Sequence, residues 1–259
     1  MIEKFNENMS NAAVNKRVLL KSGMLKYIIS SAFAGAFVGI GIILTFTIGG
    51  ILSPENCPFI PLINGLSFSI ALSFVIFTGT ELFTGNNMVM AMGWFNKKVK
   101  VMDMIKIWVI SFIGNYIGAV IISGIYVGSG LGHKENIMTF WQNAAISKAA
   151  VPFGEHFWRG VLCNIMVCLA VIMCSNIKNE TAKIIICIMC IYPFVTIGFE
   201  HCVANMTVYT VAFLESGITE VVLADFIRNM IPVTLGNILG GAAIIGGGFY
   251  AINGKKNNK

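Results

Sequence analysis

The stretch TIGFEHCVANMTVY, residues 196–209, places two ionisable side chains inside an apolar run. Glu200 and His201 are neighbours, and no other charged residue interrupts the run over residues 184–214. Ionisable groups within membrane segments are rare, and they usually mark a functional site. The stretch therefore predicts a membrane-embedded site at an interruption of a long apolar helix.

The composition of the whole chain supports a membrane location. The protein has 259 residues, of which 56% are hydrophobic and 12% are charged. An ordinary soluble domain carries about 25% charged residues. This composition is typical of an all-α integral membrane protein embedded in a lipid bilayer, and it argues against nucleic acid as a partner.

Six membrane spans follow from the uncharged runs. Four runs are each long enough for one helix, since a bilayer core is crossed by about 20 helical residues; they cover residues 27–52, 107–132, 160–177 and 229–254. Two other runs cover residues 56–96 and 184–214. The first of these is too long for one straight helix, yet no polar loop divides it. We expect the second and fifth spans to be discontinuous, with each break covered by protein.

The basic residues predict the orientation of the spans. Fourteen of the eighteen lysines and arginines fall in segments that six spans place on one side, namely residues 4–26, 97–106, 178–183 and 255–259. The other side has only Lys134, Lys148, Arg159 and Arg228. Cytoplasmic segments of membrane proteins carry the excess of basic residues. We therefore expect both termini in the cytoplasm.

The two halves of the chain repeat each other. IGNYIG at residues 113–118 matches LGNILG at residues 235–240, and both contain glycines four apart that allow close helix packing. TELFTGNNM at residues 80–88 matches FEHCVANM at residues 199–206, since each has a glutamate followed by Asn-Met. AGAFVG and RGVLCN, at residues 34–39 and 159–164, match more weakly. Three spans per half make the second copy inverted in the membrane.

This organisation predicts five segments. Residues 1–26 form a cytoplasmic amphipathic helix at the membrane surface, and residues 27–132 form the first three-span repeat. Residues 133–159 form an extracytoplasmic connection, residues 160–254 the second repeat, and residues 255–259 a cytoplasmic tail. His133 and His156 lie in or beside the connection, so we expect both at the surface.

Broken helices in an inverted repeat have a physical use in transport. Their free backbone groups meet near the bilayer midplane, where they face a cavity that binds a solute. His201 can face such a cavity only if its neighbour Glu200 points elsewhere. We therefore expect Glu200 to accept hydrogen bonds from backbone amides freed by the break, and Glu81 to do the same in the first repeat.

Three segments resemble the formate/nitrite transporter family: ELFTGN at residues 81–86, GFEHCVANM at residues 198–206, and RGVLCNIMVCLAV at residues 159–171. The resemblance covers about residues 24–250, and the chain looks most like the hydrosulfide channel branch. It implies an aquaporin-like fold, a homopentamer with a pore in each subunit, and small inorganic or carboxylate anions as cargo. In this sequence ELF is followed by TGN, whereas other members vary after the threonine. We expect this loop to tune selectivity.

The same resemblance implies roles for particular residues. His201 becomes the central pore histidine, Thr84 faces it from the first broken helix, and Lys148 becomes the basic residue of a vestibule. The apolar constriction falls on Phe68, Leu72, Leu82, Val167 and Phe194. The polar partners of the family fall on Asn164 and Asn205, which we group with Glu81 and Glu200 as support for the breaks.

Several functions remain open at this stage. The first is a channel for hydrosulfide, formate or nitrite in the inner (plasma) membrane, and the second is a proton-coupled anion transporter with the same pore. A neutral-solute pore of the water or glycerol type is a third, although no paired Asn-Pro-Ala occurs at the breaks. A membrane enzyme or metal site using His201 and Cys202 is disfavoured, because only one of three histidines lies in a predicted span. We expect no enzyme activity, no cofactor and no bound metal.

Overall fold

The computed structural model describes residues 2–215 and 222–253. Its helices are α1 (Ile2–Ser22), α2 (Met24–Leu52), α3 (Ile60–Thr78), α4 (Phe83–Phe95), α5 (Val101–Gly128), α6 (Glu135–Ala150), α7 (Phe153–Cys174), α8 (Glu180–Ile197), α9 (Cys202–Leu214), α10 (Leu223–Ile238) and α11 (Gly248–Asn253). A π-helix, Leu239–Gly247, joins α10 to α11. The predicted tail at residues 255–259 lies outside the described residues.

Six helical segments in the described chain are long and apolar enough to cross a membrane: Met24–Glu55, Ile60–Thr78, Val101–Gly128, Phe153–Cys174, Glu180–Ile197 and Leu223–Ile252. The protein is therefore a multi-pass, all-helical membrane protein, as the composition predicts. The fourth segment begins at Phe153 rather than residue 160, and the sixth begins at Leu223 rather than residue 229. Both begin earlier because the uncharged runs stop at Arg159 and Arg228, which lie in the second turns of these helices.

The second and fifth spans are broken, which confirms the expectation from the two long apolar runs. Helix α3 ends at Thr78 and α4 begins at Phe83, whereas α8 ends at Ile197 and α9 begins at Cys202. The residue after each first half is a left-handed glycine, Gly79 with φ 67° and Gly198 with φ 90°. Glycine reaches this conformation without the steric penalty of a Cβ atom, so it ends a helix sharply.

Glycines bring two pairs of helices into backbone contact. A Cβ atom on Gly118 of α5 would lie 1.8 Å from the carbonyl oxygen of Ala32 in α2. A Cβ atom on Gly236 of α10 would lie 2.1 Å from the carbonyl oxygen of Phe157 in α7. Small residues are the usual means of such close packing in membranes. The repeated Gly-Asn-x-x-Gly pattern therefore produces the same helix pair twice.

Two helices outside the six spans, α1 and α6, precede the two sets of spans. Helix α1 packs against α4 and buries Met9 and Ala13 on that side, whereas most of its other residues are at least partly exposed. Helix α6 packs against α2 and α9 and buries Trp141. The segment 133–159, predicted as a connection, thus contains α6 and the start of α7. Each of these two helices carries a lysine that contacts a glutamate at a break, Lys16 in α1 and Lys148 in α6.

Candidate functional site

The two breaks bring Thr84 and His201 into contact. Thr84 lies in the first turn of α4, His201 is the N-cap of α9, and Thr84 Oγ1 lies 3.0 Å from His201 Nε2. Both residues are buried. His201 Nδ1 accepts a hydrogen bond from the Ala204 amide at 3.1 Å. Because Nδ1 accepts, the neutral ring carries its proton on Nε2 and donates to Thr84, which leaves the threonine hydroxyl proton available to a solute.

The first break is closed by Asn115 of α5. Its Oδ1 accepts from the Phe83 amide at 2.9 Å, which satisfies a free N–H at the start of α4. Its Nδ2 donates to the carbonyls of Ser31 at 2.7 Å and Glu81 at 2.9 Å. One buried side chain therefore ties the broken backbone to α2 and α5.

The second break is closed in the same way by Asn237 of α10. Its Oδ1 accepts from the Cys202 amide at 3.0 Å. Its Nδ2 donates to the carbonyls of Gly160 at 2.7 Å and Glu200 at 3.0 Å. The two asparagines occupy the same place in the two Gly-Asn-x-x-Gly motifs, so the repeat extends to the atoms that hold the breaks.

The prediction that Glu81 and Glu200 cap the freed amides is wrong. The two asparagines take that role, and the glutamate side chains bind lysines instead. Lys16 Nζ lies 2.8 Å from Glu81 Oε2, and Lys148 Nζ lies 2.7 Å from Glu200 Oε1. A buried carboxylate requires a paired cation, because an unpaired buried charge is very costly. A backbone amide, in contrast, is satisfied by the neutral side-chain oxygen of an asparagine.

Each carboxylate also has an asparagine five residues along the chain. Asn86 Nδ2 donates to Glu81 Oε2 at 3.0 Å, and Asn205 Nδ2 donates to Glu200 Oε2 at 2.6 Å. In the first repeat the Tyr27 hydroxyl completes the set by donating to Glu81 Oε2 at 2.7 Å. The predicted support residues Glu81, Glu200 and Asn205 are thus parts of two similar charged networks beside the breaks.

The second network continues to a histidine that we expected at the surface. Asn205 Nδ2 also donates to Asn229 Oδ1 at 2.7 Å, and Asn229 Nδ2 lies 3.3 Å from His156 Nε2. His156 Nε2 lies 2.8 Å from the Lys148 carbonyl oxygen. His156 is only 1% exposed, so the surface prediction is wrong. The error arose because α7 begins seven residues earlier than the uncharged run and carries His156 into the protein.

Asn164 connects the second repeat to the first break. Its Nδ2 lies 3.1 Å from the Thr84 carbonyl, 3.2 Å from Asn87 Oδ1 and 2.6 Å from the Asn237 carbonyl. The sequence placed Asn164 among the supporting residues. The structure positions it between the backbone of Thr84 and the asparagine that closes the other break.

Two cavities lie near the Thr84–His201 contact, one lined by Leu82 and Gly85 close to Thr84 in the chain and the other lined by His201 itself. One, of about 280 Å³, is lined by Lys16, by Lys183 of α8 and by mostly apolar residues of α3 and α4, and we call it the Lys16 mouth. The other, of about 140 Å³, is lined by Lys148 and His201, and we call it the Lys148 mouth. Helix α3 runs from one to the other, with Phe68 in the Lys148 mouth and Leu72 in the Lys16 mouth.

Four of the five predicted constriction residues line these cavities. Leu72 and Leu82 line the Lys16 mouth, whereas Phe68 and Phe194 line the Lys148 mouth. The Phe68 and Phe194 rings meet edge to face at 5.8 Å, and Phe194 stacks on His201 at 6.3 Å. Val167 is 1% exposed and lines neither cavity.

The geometry also bears on the metal hypothesis. Within the described ranges, no group of three or more His, Cys, Asp or Glu side chains is placed to hold a metal ion. Both ring nitrogens of His201 are engaged, by Thr84 and by the Ala204 amide. Cys202, the other residue of the hypothesis, is completely buried.

A comparison with models of protein families identifies the family of this chain. The model of the family described as "Formate/nitrite transporter" matches residues 3–251. The chain belongs to the formate/nitrite transporter family. The resemblance carried by ELFTGN, GFEHCVANM and RGVLCNIMVCLAV is therefore confirmed, and this formate/nitrite family member is a membrane transport protein rather than an enzyme.

Known transporters and channels are similar to this chain in sequence and in structure. The nitrite transporter NirC of Escherichia coli (strain K12) is 35% identical over 255 residues, which cover 98% of this chain and 93% of NirC. A solved "FNT family ion channel" superposes with a TM-score of 0.88 at 33% identity, covering 96% of this chain and 99% of that one. A "Pentameric formate channel with formate bound" superposes with a TM-score of 0.78 at 26% identity, covering 90% and 98%.

Sequence reasoning missed several residues of this formate/nitrite family site. Asn115 and Asn237 were visible as the repeated Asn of Gly-Asn-x-x-Gly, but only the glycines were interpreted. Lys16 was hidden because the N-terminal helix was left outside the repeat. Tyr27 and Asn229 had no sequence signal, since their roles depend on contacts with distant residues.

Proposed function

We propose that this protein is a channel for small monovalent anions of weak acids, with Thr84 and His201 as the hydrogen-bond donors at its centre. The observation that carries the proposal is the 3.0 Å contact between these two side chains, made where two broken helices meet between two cavities. A solute moving between the cavities passes this pair.

The chemistry of the pair suits an anion. Moving a charge through an apolar region is costly unless hydrogen bonds replace its hydration shell. The Nε2–H of His201 donates to the Thr84 hydroxyl, which keeps its own proton free to donate to an anion at this point. On either side the path is apolar: Leu72 and Leu82 on the Lys16 side, and the Phe68–Phe194 ring pair on the Lys148 side. We assign these four residues to the constrictions, and we leave Val167 as a packing residue behind them.

The two lysines suit the entrances of an anion path. Lys148 lines its cavity while its ammonium group contacts Glu200, and its side chain is 22% exposed. Lys16 occupies the matching position at the other mouth, paired with Glu81. Each carboxylate is neutralised by its lysine, so neither mouth presents a bare negative charge that repels an anion.

The names of similar proteins indicate which anions are candidates for the cargo. NirC is named for nitrite, and one structural neighbour is titled as a formate channel with formate bound. We propose formate and nitrite as cargo, and we propose hydrosulfide as a third on the sequence-based expectation that the chain belongs to the hydrosulfide branch. The likeness to a pentameric channel supports a homopentamer with one path per subunit. The distribution of basic residues supports an orientation with both termini cytoplasmic, and we propose the inner (plasma) membrane as the location.

A proton-coupled transporter is the second candidate, and the position of His201 favours it. An imidazole at the centre of the path is able to take up a proton and, as imidazolium, to pass it to a weak-acid anion, which then crosses the apolar rings as a neutral acid while the ring returns to its neutral form. The two candidates differ in whether protons move in a fixed ratio with the anion. Anion flux without stoichiometric proton movement identifies the channel.

The test is flux into liposomes containing the purified protein. Gradients of formate, nitrite, hydrosulfide and chloride are imposed at two pH values, and a pH-sensitive dye inside follows protons. The variants are His201→Asn and Thr84→Val. We expect His201→Asn to change selectivity or the pH response more than Thr84→Val does, because only the imidazole both donates a hydrogen bond and titrates.

Matched controls are available in the chain. Thr210→Val removes a buried hydroxyl of α9 that donates to the Met206 carbonyl, within its own helix. His133→Asn removes a histidine whose side chain is 60% exposed. Both controls are expected to keep the wild-type flux profile. No anion flux from folded wild-type protein rejects the proposal, and equal effects of the two pore variants reduce His201 to a simple donor.

A further inference from the structure

A second buried histidine lies behind the Lys148 mouth. His156 is 1% exposed, and its Nε2 lies 2.8 Å from the backbone carbonyl of Lys148. It belongs to the first turn of α7, but its ring contacts α6 through Lys148 and α10 through Asn229. The central pair does not need this residue, so a ring buried among polar groups here requires its own explanation.

Two amide side chains connect this histidine to the charged pair. Asn229 Nδ2 lies 3.5 Å from His156 Nδ1 and 3.3 Å from Nε2. Asn229 Oδ1 accepts from Asn205 Nδ2 at 2.7 Å, and the same Asn205 nitrogen donates to Glu200 Oε2 at 2.6 Å. All four residues are at least nine-tenths buried. The hydrogen bonds thus form an unbroken chain from the ring to the carboxylate.

The directions of these bonds fix the form of the ring. The Lys148 carbonyl can only accept, so His156 Nε2 carries a proton and donates to it. Asn229 presents its amino group to the ring, and the remaining nitrogen, Nδ1, has an accepting lone pair in the neutral form. The described arrangement is therefore that of a neutral imidazole protonated on Nε2.

A second proton on the His156 ring reverses the direction of the hydrogen bonds that run through Asn229 and Asn205. With N–H on both nitrogens, the ring needs an acceptor from Asn229, which must turn its Oδ1 toward the ring. Its amino group then faces Asn205, which must turn its own oxygen to accept. Asn205 thereby withdraws its donor from Glu200, and the carboxylate depends on Lys148 alone. One proton on His156 reorganises a network that reaches the Lys148 mouth.

We propose that His156 is a positioning residue of the Lys148 mouth, which senses pH on that side through Asn229 and Asn205. Its protonation adds a positive charge beside the mouth and reorients the two amides next to Glu200. The added charge raises the local concentration of anions, so acid on this side increases anion entry. The effect on flux rests on the proposed anion channel, whereas the titration of His156 does not.

The charges around the ring are few. In the described chain, His156 faces Lys148 from α6, Glu200 from the break and Arg159 from its own helix, while α10 offers the neutral Asn229. The Lys16 mouth is built differently, because Glu81 is held there by the Tyr27 hydroxyl instead of an amide chain ending in histidine. The proposed pH response therefore belongs to one mouth only.

The experiment compares His156→Gln with wild type in a planar bilayer, with pH varied separately on each side. Glutamine keeps a donor for the Lys148 carbonyl and an acceptor for Asn229, but it does not titrate. The ratio of wild-type to variant current is expected to rise about threefold or more as pH on the Lys148 side falls from about 8 to about 5, the range in which histidine titrates. The ratio is expected to stay flat when pH changes on the Lys16 side. His133→Gln, at an exposed histidine, is the matched control and keeps the wild-type response.

A direct measurement accompanies the currents. The chain has 3 histidines, so ¹⁵N-histidine spectra of wild type, His133→Gln and His156→Gln in nanodiscs assign each imidazole. The His156 signal is expected to show the Nε2-protonated ring at neutral pH and to titrate in step with the current ratio. A ratio that is flat at both mouths, or a His156 ring that stays neutral down to about pH 5, overturns the proposal. If folded wild-type protein carries no anion current, the channel proposal fails, and the spectra still decide whether His156 titrates.

Discussion

Asn115 and Asn237 hold the two helix breaks with the same contact. Asn115 Oδ1 accepts from the Phe83 amide at 2.9 Å, and Asn237 Oδ1 accepts from the Cys202 amide at 3.0 Å. Each side chain is completely buried and comes from the third span of its own repeat. Because a membrane interior offers little water to satisfy free backbone groups, these two amides are what allow the chain to leave the helix there.

Replacing either asparagine by leucine is expected to destabilise the protein strongly. Asn115→Leu leaves the Phe83 amide and the Glu81 carbonyl without their side-chain partner. Each buried unsatisfied group costs about 1–3 kcal/mol, so the total is on the order of 3 kcal/mol or more. Thermal unfolding in detergent, followed by the loss of monodisperse protein, measures the effect.

The exposed Asn143 of α6 provides the control for this substitution. Asn143→Leu is expected to leave the unfolding temperature near that of wild type, since its side chain is exposed. Similar unfolding temperatures for Asn115→Leu and Asn143→Leu contradict the role assigned to the two break asparagines.

Close helix packing gives a second prediction. Gly118→Ala is expected to prevent folding or to lower the unfolding temperature sharply, because the new Cβ atom would lie 1.8 Å from the Ala32 carbonyl oxygen. Gly124 lies on the same helix, and a Cβ atom added there would have no heavy atom within 4 Å, so Gly124→Ala is harmless or slightly stabilising. Equal tolerance of alanine at both positions rejects backbone contact between α2 and α5.

The left-handed glycines give a third prediction. Gly198 has φ 90° and nothing within 4 Å of an added Cβ atom, so alanine there is strained by conformation alone. The expected cost of Gly198→Ala is about 1 kcal/mol or more. Gly248 also has open space around an added Cβ atom but an ordinary helical φ of −60°, so Gly248→Ala is the matched control. A loss of stability that is no greater for Gly198→Ala removes the conformational argument.

The pairing of Lys148 with Glu200 gives a fourth prediction. Lys148→Met leaves a buried carboxylate without its cation, which is strongly destabilising for a buried pair. Adding Glu200→Gln removes the unpaired charge, so the double variant is expected to be more stable than Lys148→Met alone. Unfolding temperatures of the two single variants and the double variant complete the cycle.

An exposed lysine serves as the control for the pair. Lys134 lies at the start of α6 and is exposed, so Lys134→Met is expected to unfold like wild type, and Lys134→Met combined with Glu200→Gln is expected to unfold like Glu200→Gln alone. If Lys148→Met and the double variant unfold at the same temperature, the ion pair contributes nothing to folding.

The sequence determined the fold class, the number of spans and the presence of the breaks. Apolar runs of fixed length predict spans because the bilayer has a fixed thickness, and this constraint is local. The charged pair Glu200–His201 located the second break for the same reason, since only a break explains two ionisable groups inside an apolar run. The matched glutamate and Gly-Asn-x-x-Gly motifs extended the pattern to the first half of the chain.

Only the tertiary structure decided which side chains meet at the site. The sequence assigned Glu81 and Glu200 to the freed amides, but the amides bind asparagines of other helices and the carboxylates bind Lys16 and Lys148. His156 was placed at the surface, yet it lies buried beside Lys148. These contacts join residues far apart in the chain, and a hydrophobicity pattern has no information on which polar groups share a low-dielectric interior. The spans follow from the cost of burying the backbone in lipid. The hydrogen-bond and ion-pair partners follow from how the helices pack against one another, which the hydrophobicity pattern does not specify.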